Sequence, residues 1–252
     1  MRRVTLLVWL AFIAAGAAAG SLNAQDEERP VVYASYWDCG TLANVVDLIA
    51  QDWGPLMQTH MDGGAITAWG AATHKTGNSW DLLLYYVGSD YEAITSALQS
   101  SGQQLAEENP ETFETLGNAC PSHEDYVWIS AMSSAPVEEV AQERAEAALS
   151  IYWVCDEGVE AAADLIFEEM MMPALEAQVE AGLVNSWSWN EHFLGGKYRR
   201  LLALDGPTHA SLLEARNGII DAFNENPGLS AAFSRICNGH QDNLYDIAIS
   251  VP

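Results

Sequence analysis

Lysine is nearly missing from this chain. Only Lys75 and Lys197 occur in 252 residues, and ten cationic side chains face 35 acidic ones, a formal net charge of −25. A surface with that balance repels polyanions, which excludes DNA, RNA and anionic lipid as partners. Long apolar runs are scarce as well. Apart from Val4 to about Ala19, no stretch approaches the ~20 residues that a membrane-spanning helix needs. Cysteine is limited to four, and no Cys-x-x-Cys pair exists, so a dithiol redox motif is ruled out. A Gly-x-Ser-x-Gly elbow, a phosphate-binding glycine loop and a dinucleotide fingerprint are all absent. So are His-x-x-x-His and Glu-x-x-His spacings and an Asp-x-Asp-x-Asp-Gly calcium loop. Metal and cofactor are therefore not expected, and no catalytic set can be assigned.

Arg2 and Arg3 precede the one apolar run, and small residues follow it. Residues 1–24 read as a secretory signal peptide, cut after Ala19 or Ala24. The remaining chain is expected to be secreted or periplasmic, with no membrane span of its own. Four cysteines in an exported protein imply two bridges, for which three pairings are open.

What the chain does have is repetition. Tyr36-Trp37-Asp38-Cys39 returns as Tyr152-Trp153-Val154-Cys155. Glu108-Asn109-Pro110, Cys120, His123 and Asp125 return 117 positions later as Glu225-Asn226-Pro227, Cys237, His240 and Asp242. Gly64, Trp69, His74 and Gly77 return 118 positions later as Gly182, Trp187, His192 and Gly195. A period of this length makes each copy domain-sized rather than a solenoid unit. The expected organisation is a first repeat over 25–132, a linker over 133–147 and a second repeat over 148–252. The duplication favours the pairs Cys39–Cys120 and Cys155–Cys237, which would close loops of 81 and 82 positions.

Within the first copy, Val31 to Trp37 is rich in β-branched and aromatic residues and predicts a strand. Leu42, Val45, Val46, Ile49, Trp53 and Leu56 recur at helical spacing from Gly40 to about Met61, with Gly54-Pro55 predicting a kink. Two strands follow, Ala65 to Thr73 and Ser79 to Val87. Ser89-x-x-Glu92 predicts a capping box for the next helix. Asn109-Pro110 breaks that helix, and Asp125 to Ser130 is the last strand. The second copy repeats the order, with Thr208 opening its long helix. Each copy thus reads as a ferredoxin-like βαββαβ unit, an α+β fold. In that topology the ends of the first and last strands are neighbours, where the cysteines stand.

With this order, the segment Gly182-Leu183-Val184-Asn185-Ser186-Trp187-Ser188-Trp189, followed by His192 and Gly195-Gly196, resembles the dimeric α/β-barrel superfamily. The resemblance covers about Val31–Met132 and Ala148–Pro252. It implies two ferredoxin-like repeats pairing as an intrachain pseudo-dimer, so that one chain can act as a monomer. The superfamily includes cofactor-independent oxygenases, haem-handling enzymes and proteins without assigned activity, and fold does not choose among them.

The candidate ligand-binding residues are the duplicated ones: His74 with His192, His123 with His240, and Trp69 with Trp187. Strand alternation puts His123 and Asp125 on one face, where a carboxylate can orient an imidazole. The plainer role for these histidines is structural, bonding a backbone carbonyl beside the disulfide. Trp69 and Trp187 either line a barrel or pack beneath helices, and aromatic strand residues usually pack. Ser186, Ser188, Asn190 and His192 lie opposite Trp187 and predict a wetter lumen. The expected function is an exported acidic protein without catalysis, one that binds a small organic ligand or serves a structural role in the envelope. The alternative is an oxygenase-like or haem-handling enzyme.

Overall fold

The computed structural model describes residues 29–77, 80–134 and 145–252. The expected signal peptide, 1–24, and residues 135–144 of the expected linker lie outside the described residues.

The first half runs β1 (Val31–Asp38), α1 (Val45–Leu48), a π-helical turn (Ile49–Trp53), α2 (Gly54–Asp62), β2 (Ala68–Thr76), β3 (Leu82–Gly88), α3 (Tyr91–Glu108), α4 (Pro110–Ala119) and β4 (Ser122–Ser133). The second half runs β5 (Ala147–Cys155), α5 (Glu160–Ile166), a second π-helical turn (Phe167–Met171), α6 (Met172–Glu180), β6 (Ser186–Leu194), β7 (Arg200–Gly206), α7 (His209–Glu225), α8 (Pro227–Ile236) and β8 (Cys237–Val251).

The strands form one closed antiparallel barrel in the order β1-β3-β2-β8-β5-β7-β6-β4. This overturns the expected pair of ferredoxin-like repeats, each with a sheet of its own. The reason lies at the outer strands of the halves. β2 bonds to β8 and β4 bonds to β6, so the halves are joined by backbone hydrogen bonds as well as by packing. Four-stranded sheets would leave those edges as unpaired N–H and C=O groups, and closure satisfies them. β-Bulges sit in both seams, at Ala71/Ala72 and His74/Thr76 in one and at Val127/Trp128 and Ser130/Met132 in the other. They bend the long strands around the ring.

Strand alternation divides the core into three parts. Val32, Ala34, Tyr36, Tyr126, Trp128 and Tyr152 point into the barrel, where they meet Trp80 and Tyr198. The opposite face of the first-half strands meets α1 to α4 through Val45, Ile49, Met57, Ile94 and Leu105. The opposite face of the second-half strands meets α5 to α8 through Phe167, Met171, Leu175, Leu212 and Phe233. The lumen is not the wet channel predicted from Ser188, Asn190 and His192. Tyr36, Tyr126, Trp128, Tyr152 and Tyr245 are fully buried and fill it with rings. Tyr152 donates to Tyr36 across the barrel at 3.1 Å.

One local expectation is corrected and another is given its form. α3 is capped by Asp90, whose carboxylate accepts from the N–H groups of Glu92 and Ala93, and not by Ser89. At Gly54-Pro55 the helix widens into a π turn just before the proline. The same happens before Pro173. A π turn absorbs the bond that proline cannot donate. At α7 the box is complete: Thr208 accepts from the Ser211 N–H, and Ser211 accepts from the Thr208 N–H. Cys39 is bridged to Cys120 and Cys155 to Cys237.

Candidate functional site

The first half holds a cavity of about 340 Å³ between its strands and helices. β1 supplies Tyr33, Ser35 and Trp37, β3 supplies Leu82, Leu84 and Tyr86, and the first π turn supplies Ile49 and Trp53. Helices α3 and α4 close the far side with Leu98, Leu105, Phe113 and Leu116. His123, at the start of β4, completes the lining. Phe113 and His123 are the exposed side chains among these, so the opening lies between α4 and the first turn of β4.

Most of the wall is hydrocarbon or ring, and its polar groups are concentrated on the strands. Ser35, itself buried, donates to Asp125 Oδ1 at 2.6 Å. His123 Nδ1 lies 2.9 Å from the same oxygen. The His123 ring stacks 4.3 Å from Trp37. Tyr33 is pushed well above the ordinary phenol range by burial, and then by the charge and hydrogen bond of Asp125. Tyr86 is raised by burial, against a bond from Trp53 Nε1 to its hydroxyl at 3.1 Å. Both phenols therefore stay neutral and act as wall, not as acids.

At the matching place the second half carries larger rings. Phe167 stands where Ile49 does, Trp189 where Ala71 does and Phe233 where Leu116 does; Ile219 comes from the part of α7 that matches Ser101 and Gly102. Trp189 stacks 4.2 Å from Phe167 and lies 5.2 Å from Trp153, whose ring is 5.8 Å from Phe233. These rings occupy the volume that stays open beside Ile49 and Trp37. The exchange runs the other way at one wall, where Tyr33, Trp53 and Tyr86 are bulkier than Leu149, Met171 and Leu204. Those three contact one another at the cavity edge rather than filling it. The second half is further tied by a buried pair. Arg200 gives Nε to Asp164 Oδ1 and Nη2 to Oδ2, each at 2.6 Å, and Trp189 Nε1 donates to Oδ1 at 2.8 Å.

Of the six candidate ligand-binding residues, His123 lines the cavity, together with Trp37 and the disulfide-bonded Cys120 from the repeated motifs. His240, its counterpart, is more than half exposed, and Asp242 is held instead by Arg216 at 2.6 Å. His74 and His192 face the lumen, His74 beside Tyr245 and His192 beside Tyr126 and Trp128. Burial, and then the charge of Arg199, lower the pKa of His192 from the usual 6.5. Trp69 and Trp187 pack beneath the helices. Ser35, Tyr33, Trp53 and Tyr86 were not singled out, although β1 alternation already put Tyr33, Ser35 and Trp37 on one face.

No family model matches the chain, and no curated protein sequence does. Solved structures do resemble it. A protein of Lactobacillus acidophilus, provisionally described as a monooxygenase, superposes with a TM-score of 0.59 at 6% identity, over 88% of this chain and 96% of the other. An anthrone oxidase-like protein gives 0.51 at 12% identity, over 90% and 94%. A chlorite dismutase variant from Candidatus Nitrospira defluvii gives 0.51 at 11% identity, over 90% and 92%. These are dimeric α/β-barrel proteins, and the chain shares their fold.

Haem is one group handled on this fold, and the cavity can be tested against it. Haem iron needs an axial side chain, and the propionates favour arginine or lysine. His123 lies in the lining with its ring tilted against Trp37 at 4.3 Å, and the two tyrosines there, Tyr33 and Tyr86, are held as neutral phenols rather than iron-binding phenolates. No lysine or arginine lines the cavity. The residues do not fit haem. Among the described residues there is also no cluster of three histidine, cysteine, aspartate or glutamate side chains placed to hold a metal ion.

Proposed function

We propose that this is an exported, non-catalytic binding protein that takes up one small, flat, uncharged apolar molecule per chain in the first-half cavity. The observation that carries this reading is the exchange of Phe167 and Phe233 for Ile49 and Leu116, both of which line the cavity of about 340 Å³ in the first half. That volume lies in the range of small-molecule sites, and its apolar wall suits such a ligand. Export is supported by two disulfides, which persist in oxidising compartments, and by the N-terminal segment with Arg2, Arg3 and the apolar run. Naphthalene titrated into the protein should quench or shift the emission of Trp37 and Trp53. The Leu116→Phe variant, which places the counterpart ring of Phe233 at the cavity wall, should fold and lose that response. Equal naphthalene affinity in the variant would defeat the reading.

A second reading is an oxygenase-like enzyme without a cofactor. His123 and Asp125 at the cavity favour it, because a carboxylate-oriented imidazole is a usable base. Two of the similar structures are described in oxygenase or oxidase terms. Oxygen uptake that depends on a bound ligand and is lost in His123→Phe would establish this activity over plain binding.

A further inference from the structure

Glycine inside a helix costs stability, because it orders the most flexible backbone and buries no side chain. On α7 one such glycine is explained by close approach, since a Cβ at Gly218 would meet Gln178 Nε2 at 2.7 Å. Two others have no such reason. Gly102 stands inside α3 and Gly117 inside α4, both line the first-half cavity, and a Cβ at either would meet nothing within 4 Å. Gly102 is half-buried and Gly117 is exposed, so the unfilled wall reaches from the interior to the surface. Phe113, one turn before Gly117 on the same face of α4, leaves a large apolar ring 47% exposed at the opening. In the second half Ile219 and Ser234 follow Gly102 and Gly117 by 117 positions, and Ile219 is buried in the core.

The two sides of the cavity differ in chemistry. Tyr33, Trp37, Trp53 and Tyr86 present rings from the strands and the first π turn. The helices present aliphatic Leu98, Leu105 and Leu116 and the two gaps. A flat ring seated on the strand side alone leaves the helix side and Phe113 facing water. Resting on the binding role proposed above, we propose that the ligand is an uncharged aromatic ring bearing an alkyl chain. The ring lies against the strand side. The chain runs past Gly102 and leaves at Gly117, where Phe113 covers it. The walls along this route are hydrocarbon, no lysine or arginine lines them, and the net charge of −25 repels an anionic chain end. Gly102 and Gly117 are thus specificity-determining residues, which set how long a ligand the site takes.

The test compares naphthalene with 2-butylnaphthalene, which differ only in the chain, by quenching of tryptophan emission in the full mature protein. Wild type should bind 2-butylnaphthalene about tenfold more tightly, less than full burial of the chain would give because its end stays in water. The preference is read within each protein, so a change in naphthalene affinity itself cancels. Gly102→Ile, which takes the second-half residue, and Gly117→Leu should each cut the preference below about threefold. Gly228→Leu changes an exposed glycine of α8 outside the cavity wall and should keep it. Isotope-filtered NOE spectra of the wild-type complex read the orientation directly: the terminal methyl should contact Phe113, and the ring protons should contact Trp37 and Trp53. The reverse contacts would overturn the assignment, and they decide it even where a variant loses both probes. Equal affinity for the two probes in wild type, or a tenfold preference retained in both cavity variants, would overturn the assignment and leave the cavity reading intact. Failure of wild type to bind naphthalene would overturn both.

Discussion

Ala71 and Trp189 hold matching places on β2 and β6, and the Trp189 indole stacks 4.2 Å from Phe167, the counterpart of Ile49. Both positions are fully buried, so the difference is one of volume and not of exposure. Trp189→Ala should therefore open a second cavity. The expected cost is about 3–5 kcal/mol, the range for removing a large buried aromatic side chain. The loss of its N–H to Asp164 adds to this. Urea unfolding measures the cost, and a second naphthalene site in the variant would show that the space becomes usable.

The Asp164–Arg200 pair lies in the second-half core at the positions where the first half has Val46 and Leu82. Removing one partner leaves a charge buried and unpaired. Asp164→Val alone should cost about 3–5 kcal/mol, and the double change Asp164→Val with Arg200→Leu should recover most of it. A double-mutant cycle by urea unfolding reads the coupling.

Each half closes one disulfide loop, of 81 and 82 positions. Peptide mapping without reduction should find Cys39 with Cys120 and Cys155 with Cys237. Replacing Cys39 and Cys120 together by alanine should lower stability by about 4 kcal/mol in the chain-entropy account. Free thiols in the native protein, or links between the halves, would contradict the fold described above.

His192 gives the barrel an acid sensitivity. Burial and Arg199 hold its folded pKa below 6.5, so the fold prefers the neutral ring. Its contribution is complete above the unfolded value of 6.5 and is lost as pH falls through 6.5 toward the lower folded value. His192→Gln should flatten the decline in urea midpoint between about pH 7 and pH 5. An unchanged slope would show that other groups govern it.

Much of the local structure could be read in the chain. The strand at Val31, the hairpins, the breaks at Asn109-Pro110 and Asn226-Pro227 and the cysteine pairs all rest on neighbouring residues or on the repetition. The seams β2–β8 and β4–β6 could not be read the same way. They join segments far apart in sequence, and a strand carries no local mark of which distant edge it will meet. Ser89 was taken as the cap because its spacing to Glu92 fits a box. Asp90, one position on, accepts two backbone N–H groups, and a carboxylate does this more strongly. The cavity was hidden for a different reason. Its wall has Ile49 and Leu116 where the second half has Phe167 and Phe233, residues on two elements that meet only in the fold. The signal was present as Ile49 against Phe167 and Leu116 against Phe233, but it acquires meaning only once both are seen to line one space.

The ring of strands has a last consequence. Each strand stands like a stave bonded to a neighbour on each flank, so over the paired middle of the ring the described residues leave no open backbone margin. Another polypeptide can add to this sheet only beyond those ladders, at the barrel rims, and otherwise meets the helical coat. Closure of this kind removes the strand edges through which sheets otherwise join into larger assemblies.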